Sequence, residues 1–154
     1  MLSIVAMKAL LQRVSSARVE VEGRIVGEIA KGLLVFLCTV KGDTDKDLEY
    51  TLKKVSQLRI FGDDQGKMNL SVMDVRGEAL VVSQFTLAAA TRKGNRPSFD
   101  AAEEPTRAKA LYDEFIRRLG ETGLPVRTGE FAADMAVSLT NDGPVTILID
   151  SREG

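Results

Sequence analysis

A chain of 154 residues, 44% hydrophobic and 28% charged, has the balance of one globular domain, long enough for a single core and too short for two. Its formal net charge of -1 supplies no global field toward nucleic acid or an anionic membrane, so any RNA contact has to come from a local basic patch. Histidine is absent, which removes Ser-His and Cys-His nucleophile systems, the commonest general base near neutral pH and most zinc sites.

The first six residues, Met1 to Ala6, are apolar but too short and uncharged for a signal peptide, and Met7 opens a better patterned strand. We therefore read residues 1–6 as an alternative start or an appendage, and 7–154 as a single domain. Lys8 to Glu20 reads as one or two valine-rich strands, Glu22-Gly23 as a turn, and Arg24 to Ile29 as the returning strand. Gly32 opens the apolar run Leu33 to Val40, continuous enough for a central strand buried on both faces. Its one cysteine, Cys38, excludes an intrachain disulfide and fits a reducing compartment, and its apolar neighbours make it a core residue.

Gly42-Asp43-Thr44-Asp45 has the side-chain oxygens and acids of a helix start. Leu48, Leu52, Val55 and Leu58 then form an apolar stripe that ends near Arg59. Phe61 to Gly66 is a turn-rich connection. Met68 to Val75 and Glu78 to Leu87 read as strands joined around Arg76-Gly77, followed by a loop from Ala88 to Glu104. Pro105 suits the first position of a second helix striped by Ala108, Leu111, Phe115 and Leu119 and stopped by Gly120 and Gly123. Val126 to Phe131, Met135 to Leu139 and Val145 to Ile149 are the last strands. This order predicts a mixed α/β (α+β) domain with a largely antiparallel sheet and two helices. No run approaches the roughly 20 apolar residues of a membrane span, and the expected location is the cytoplasm.

Two segments depart from plain scaffold. In Val81 to Leu87, Ser83, Gln84 and Thr86 crowd the end of a strand. Such polar residues either face a site across the strand end or line the exposed face of an edge strand. Asn141-Asp142-Gly143-Pro144-Val145-Thr146 is either the loop of a closing hairpin or a rigid backbone surface. Proline fixes φ and donates no hydrogen bond, and a cis Gly-Pro bond would aim carbonyls where a trans bond cannot.

Together the two segments resemble the signature motifs of the D-aminoacyl-tRNA deacylase family, a Ser-Gln-x-x-x run and an Asn-x-Gly-Pro-x-Thr run near the C-terminus. They stand here as Ser83-Gln84-Phe85-Thr86-Leu87 and Asn141 to Thr146. Met7 to Val14 and Gly32 to Val35 also look like the family, and the resemblance runs from Met7 to about Asp150. It implies a barrel-like core, a homodimer with active sites at the subunit interface, no metal and no cofactor. The implied reaction is hydrolysis of the ester of D-aminoacyl-tRNA, a chiral proofreading step in translation quality control.

By the same resemblance, Gly143-Pro144 is a Gly-cisPro pair inserted into the partner's pocket, where its carbonyls meet the substrate's amino group and exclude an L side chain. A backbone wall rejects any L residue but not glycine, so Gly-tRNA is an expected second substrate. Asn141 and Thr146 belong to the same motif. Arg13 matches the arginine that braces the Gly-Pro loop, its planar fork suited to several carbonyls. An exposed strand arginine is the other reading. Phe131 matches an aromatic near the terminal adenosine, or else is core.

Thr86 is a conceivable nucleophile, but a hydroxyl needs a base and the motif has neither histidine nor lysine. The amides of Phe85 and Thr86 are better read as an oxyanion site, with Ser83 and Gln84 positioning the terminal ribose and the substrate's 2′-hydroxyl assisting. Arg92, Lys93 and Arg96 lie in a stretch without acids and are expected to meet the phosphates of the acceptor end. Arg117-Arg118, among acids, reads as a surface ion-pair face, and no DNA partner is expected. Two rivals are a non-catalytic RNA-binding module of the same fold and a metal-dependent phosphoesterase built on Asp63 and Asp64.

Overall fold

The computed structural model describes residues 6–152; of the leading segment only Ala6 falls within them, and it is buried. The elements in chain order are β1 (Lys8–Val21), β2 (Arg24–Ile29), β3 (Gly32–Cys38), α1 (Asp45–Gln57), β4 (Phe61–Gly62), β5 (Met68–Leu70), β6 (Glu78–Ser83), a short 3₁₀ turn (Phe85–Ala88), α2 (Pro105–Glu121), β7 (Val126–Thr128) and β8 (Ala136–Asp150).

β1 organises the sheet because it is long enough to hold three partners. Its first half pairs antiparallel with β3, from Lys8↔Cys38 to Val14↔Gly32, and its second half with β2, from Ala17↔Ile29 to Val21↔Arg24. β8 runs antiparallel along the other edge, from Lys8↔Asp150 to Glu20↔Ala136. Beyond β3 the pairing becomes parallel, β3 to β6 and β6 to β7. The sheet curls until β2 meets β7: a Cβ on Gly27 would lie 2.3 Å from the Thr128 carbonyl oxygen, so only glycine permits this close approach. The result is a nearly closed, barrel-like sheet.

Both helices cover one face of it. Met7, Leu11, Leu33 and Val35 pack there against Leu48, Leu52 and Val55 of α1 and Phe115 and Leu119 of α2. Inside the curl, Val14, Val19, Leu34, Leu80 and Val82 form a second cluster, so β3 is buried on both faces as its apolar run requires. At the start of α1 the Asp47 carboxylate accepts the Thr44 N–H at 2.8 Å. At α2 the Glu104 carboxylate accepts the N–H groups of Thr106 and Arg107 ahead of the free face left by Pro105.

Four strand readings are corrected. The expected strand Met68 to Val75 ends at Leu70, because the Asp74 carboxylate and Ser71 hydroxyl bond each other's backbone N–H and fold the following residues into turns. The expected strand Glu78 to Leu87 ends at Ser83, and Val126 to Phe131 shortens to Val126–Thr128. The two expected closing strands are one, β8, running in a single direction with the Asn141–Val145 segment bulging from it. A hairpin loop there is excluded, since both halves pair antiparallel with the same strand β1.

A buried carboxylate ties the ends of this fold together. Asp43 accepts the Met7 N–H at 2.9 Å, the Val40 N–H at 2.7 Å and the Arg152 guanidinium at 3.1 Å. Burial raises its pKa from 3.8 to about 6, with the Asp47 charge pushing the same way and the backbone donors and Arg152 opposing. A carboxyl whose pKa is raised by folding stabilises the folded state while protonated, and that contribution fades as pH rises through the folded value. The stability of the protein relative to Asp43→Asn should therefore fall between pH 3.8 and about 6 and be flat above it. Urea titrations of both proteins across that range check the slope, and a rising difference would contradict it.

Candidate active site

β6 runs parallel to β3 as far as Ser83↔Leu37, and the Gln84 N–H still bonds the Leu37 carbonyl at 2.8 Å. There the chain leaves the sheet and winds into the 3₁₀ turn. The Phe85 and Thr86 amides head that turn, where helix geometry offers them no acceptor within the turn itself. The Gln84 side-chain amide donates to the Thr86 hydroxyl at 2.5 Å. That hydroxyl thus accepts from an amide donor.

The turn borders a pocket of about 490 Å³. Ser83, Gln84 and Phe85 form one side, Phe131, Met135 and Val137 the other, and Glu103 and Pro105 stand at the start of α2. Thr86 itself is exposed and lies outside the lining. Phe131 is partly buried and packs at 5.6 Å against the Tyr112 ring, so its two readings, site aromatic and core residue, are both satisfied in part. Cys38 lies beneath the turn, its Sγ 3.6 Å from the Phe85 carbonyl oxygen. Burial pushes its thiol up to about 11, which keeps it protonated and inert.

Glu103 was not legible in the sequence. It stands beside Glu104 before a proline and looks like one more acid at a helix start. Its side chain is only 9% exposed and pairs with Arg107 at 2.6 Å.

Next to the pocket, a pair of backbone hydrogen bonds of 2.7 and 2.9 Å between Ala90 and Ser98 closes a small loop. Arg92, Lys93 and Arg96 all project from that loop, exposed and without an ion pair among the described residues. The loop is fixed to the site by Phe99, whose ring meets the exposed Phe85 ring edge-on at 5.2 Å. Arg117 and Arg118, by contrast, are engaged by Glu114, Glu121, Asp45 and Glu49. Asp63 is likewise engaged, its carboxylate accepting the N–H groups of Gln65 and Lys67 in the β4–β5 turn. Among the described residues no three His, Cys, Asp or Glu side chains gather as metal ligands.

The second motif is built as a bulge. Between Gln12 and Val14 β1 advances two residues while β8 advances five, from Thr146 back to Asn141, and the surplus is pushed outward. Asn141 closes its base by donating to the carbonyls of Arg13 at 2.9 Å and Val145 at 3.0 Å. Its Oδ1 accepts the Thr146 hydroxyl at 3.4 Å. The Arg13 guanidinium braces it from one side, donating to the Asp142 carbonyl at 3.1 Å and the Ile60 carbonyl at 2.8 Å.

Gly143, exposed at the crest with φ +132°, has no room for a side chain. A Cβ would stand 2.9 Å from Val145 Cγ2 and 3.0 Å from Arg13 Nη2. The Gly143-Pro144 peptide is cis.

The structure gathers the first group, Ser83, Gln84, Phe85 and Phe131, around the pocket and the second, Arg13, Asn141, Gly143, Pro144 and Thr146, at the bulge. It does not bring the groups together within one chain. Ser83 pairs with Leu37, Leu37 with Ala9 and Ala9 with Ile149, so Ser83 and the bulge are three strand steps apart and offset by about four residues along β1. At about 4.8 Å per strand and 3.3 Å per residue the path along the sheet is on the order of 20 Å.

The sequence profile of a family described as D-Tyr-tRNA(Tyr) deacylase matches residues 10–150. A protein named D-aminoacyl-tRNA deacylase from Persephonella marina is 60% identical over 146 residues, covering 95% of this chain and 99% of its own. Its namesake from Aquifex aeolicus is 56% identical over 147 residues, covering 96% and 99%. This chain belongs to the D-Tyr-tRNA(Tyr) deacylase family.

Among solved structures, one titled "c-Myc DNA Unwinding Element Binding Protein" superposes with a TM-score of 0.88 at 41% identity, covering 93% of this chain and 97% of its own. A probable eukaryotic D-amino acid tRNA deacylase superposes with a TM-score of 0.77 at 19% identity, covering 94% and 98%, a likeness of fold.

In this family member the brace is the testable part of the bulge. Arg13→Ala removes two hydrogen bonds from a charged donor, one to the exposed Asp142 carbonyl and one to the partly buried Ile60 carbonyl. It should lower the unfolding free energy by about 1–3 kcal/mol in urea titrations. A change within error would show that the bulge holds its shape without Arg13.

Proposed function

We propose that this deacylase-family chain hydrolyses the ester between a D-amino acid and the terminal ribose of tRNA, and that it does so as a homodimer in the cytosol. Gly-tRNA would be a second substrate, since glycine presents no side chain for a backbone wall to reject. The observation that carries the reading is that a pocket headed by backbone amides and a braced main-chain crest lie on one chain, on the order of 20 Å apart along the sheet. A second copy that inserts its crest into this pocket completes the site, as a two-fold dimer does twice over. Phe36 and Leu139, outside the pocket lining, support such an interface, because they stay only partly buried against the second cluster.

In the complete site the substrate ester lies in the pocket with its carbonyl oxygen toward the Phe85 and Thr86 amides. Ser83 and Gln84 hold the ribose, Phe131 stacks on the terminal base, and Arg92, Lys93 and Arg96 take up acceptor-end phosphates. Water adds to the ester carbon, the amides stabilise the resulting oxyanion, and collapse expels the ribose oxygen, which takes a proton. The neighbouring 2′-hydroxyl of the substrate relays that proton from the attacking water. With no histidine in the chain and an amide donor on its oxygen, Thr86 stays outside the covalent chemistry. The partner's Gly143 and Pro144 stand where an L side chain would have to go.

Incubation with D-Tyr-tRNA and L-Tyr-tRNA tests the activity. Release of D-tyrosine with the L-ester left intact is expected, whereas binding of both without hydrolysis would leave only a recognition module. Thr86→Ala should retain most of the rate, and a loss of several orders of magnitude would restore a covalent role to the hydroxyl. For the shared site, Gln84→Ala and Gly143→Ala should each be crippled alone. After exchange of subunits, half of the dimers are mixed and carry one intact site, so about a quarter of the wild-type activity should return. No recovery in demonstrably mixed dimers would place the whole site within one subunit.

A further inference from the structure

Tyr112 stands at a junction that no motif marks. It is 4% exposed on the inner face of α2, one turn beyond the pocket residue Ala108. Its hydroxyl donates to the Val81 carbonyl at 2.9 Å, and burial pushes the phenol's pKa up, which keeps the proton that bond requires. Two residues beyond Val81, β6 delivers Ser83 to the pocket. The same Val81 oxygen also accepts the Gly129 N–H at 3.1 Å.

Gly129 begins the turn that forms the far wall of the pocket. That turn doubles back tightly: a Cβ on Gly129 would lie 2.7 Å from the Met135 sulfur, and Ala132 sits at φ +64°. Phe131 stands in the middle of it, and its ring packs at 5.6 Å, tilted by 50°, on the ring of Tyr112. One buried side chain thus touches the aromatic of the pocket wall and shares an acceptor with the hinge of that wall. Through the same acceptor it reaches the strand that carries the opposite wall.

We infer that Tyr112 is a positioning residue: it sets the orientation of Phe131, and with it the fit of the pocket to the substrate's terminal base. This rests on the proposed stacking of Phe131 on that base. A ring hung by its hydroxyl from a strand carbonyl is a fixed surface, and Phe131 leaning on it has one preferred tilt. Without the ring Phe131 gains rotamer freedom, which has to be lost again when the base binds. The effect should fall on binding and leave the bond-breaking step, governed by the turn at Phe85 and Thr86, unchanged.

Steady-state kinetics on D-Tyr-tRNA with Tyr112→Leu, Phe131→Leu and the double variant tests this, with thermal unfolding followed separately. Loss of base stacking should raise KM about tenfold in Phe131→Leu, and Tyr112→Leu should raise it at least about threefold, with kcat within about twofold in both. The double variant should be no worse in KM than Phe131→Leu alone, because Tyr112 acts through Phe131. Tyr112→Phe keeps the ring but loses its tether to the Val81 carbonyl, so its KM should lie between that of the original protein and that of Tyr112→Leu. Should Tyr112→Leu not fold, Tyr112→Met fills more of the space and carries the same expectation.

An unchanged KM in Tyr112→Leu beside a raised one in Phe131→Leu, or effects that multiply in the double variant, would overturn the positioning role alone. An unchanged KM in Phe131→Leu would remove the stacking reading itself, and the inference with it.

Discussion

The register mismatch between β1 and β8 governs what this protein presents to its surroundings. Two antiparallel strands that advance unequally must expel the surplus backbone from the sheet, and here the surplus is Asp142 to Val145. Expulsion alone would give a soft loop. Asn141, reaching both the Arg13 and Val145 carbonyls, and Arg13, reaching the Asp142 and Ile60 carbonyls, turn it into a fixed crest. Rigid display of main-chain atoms suits a task of sorting by handedness, because every amino acid shares the same backbone and differs only in the side chain beyond it.

The pocket follows a complementary logic. In the proposed mechanism its chemistry rests on backbone amides and an amide side chain at the end of β6, none of which needs to titrate. A chain without histidine can therefore run an ester hydrolysis on an activated substrate, provided the amides are held still. The holding is done from behind: Phe99 leans on Phe85, Cys38 lies under the turn, and Tyr112 fixes the opposite wall. Electrostatics enters beside the pocket, where three cations without an ion pair among the described residues offset the lack of any net positive charge on the whole molecule.

Much of this was legible beforehand. The run Leu33 to Cys38 could only be a central strand, since no other element hides six consecutive apolar side chains in so few residues. Pro105 and the stripe through Phe115 and Leu119 placed α2, and the two motifs marked the candidate site. What failed were the strand ends. Val81 to Leu87 alternates well enough to continue as a strand, yet leaves the sheet after Ser83 because β3 stops pairing beside it, and no local pattern records a neighbour's length. Glu103 and Tyr112 were missed for a related reason: their roles come from what packs on them, and a helix-start acid or a helix-face tyrosine looks the same in any other helix.

The sequence by itself determined the family, the two helices, the core strands, the absence of histidine chemistry and the two motifs that mark the candidate site. Those are set by local periodicity, by which residue types are present and by short motifs, all of which are written along the chain. Only the tertiary structure decided that the Asn141–Thr146 segment is a bulge on one strand, that Arg13 braces it, and that its crest stands on the order of 20 Å along the sheet from Ser83 of its own chain. Those facts depend on pairing register across residues more than a hundred positions apart, and register is fixed by the sum of contacts over the whole sheet, which no local stretch of sequence carries.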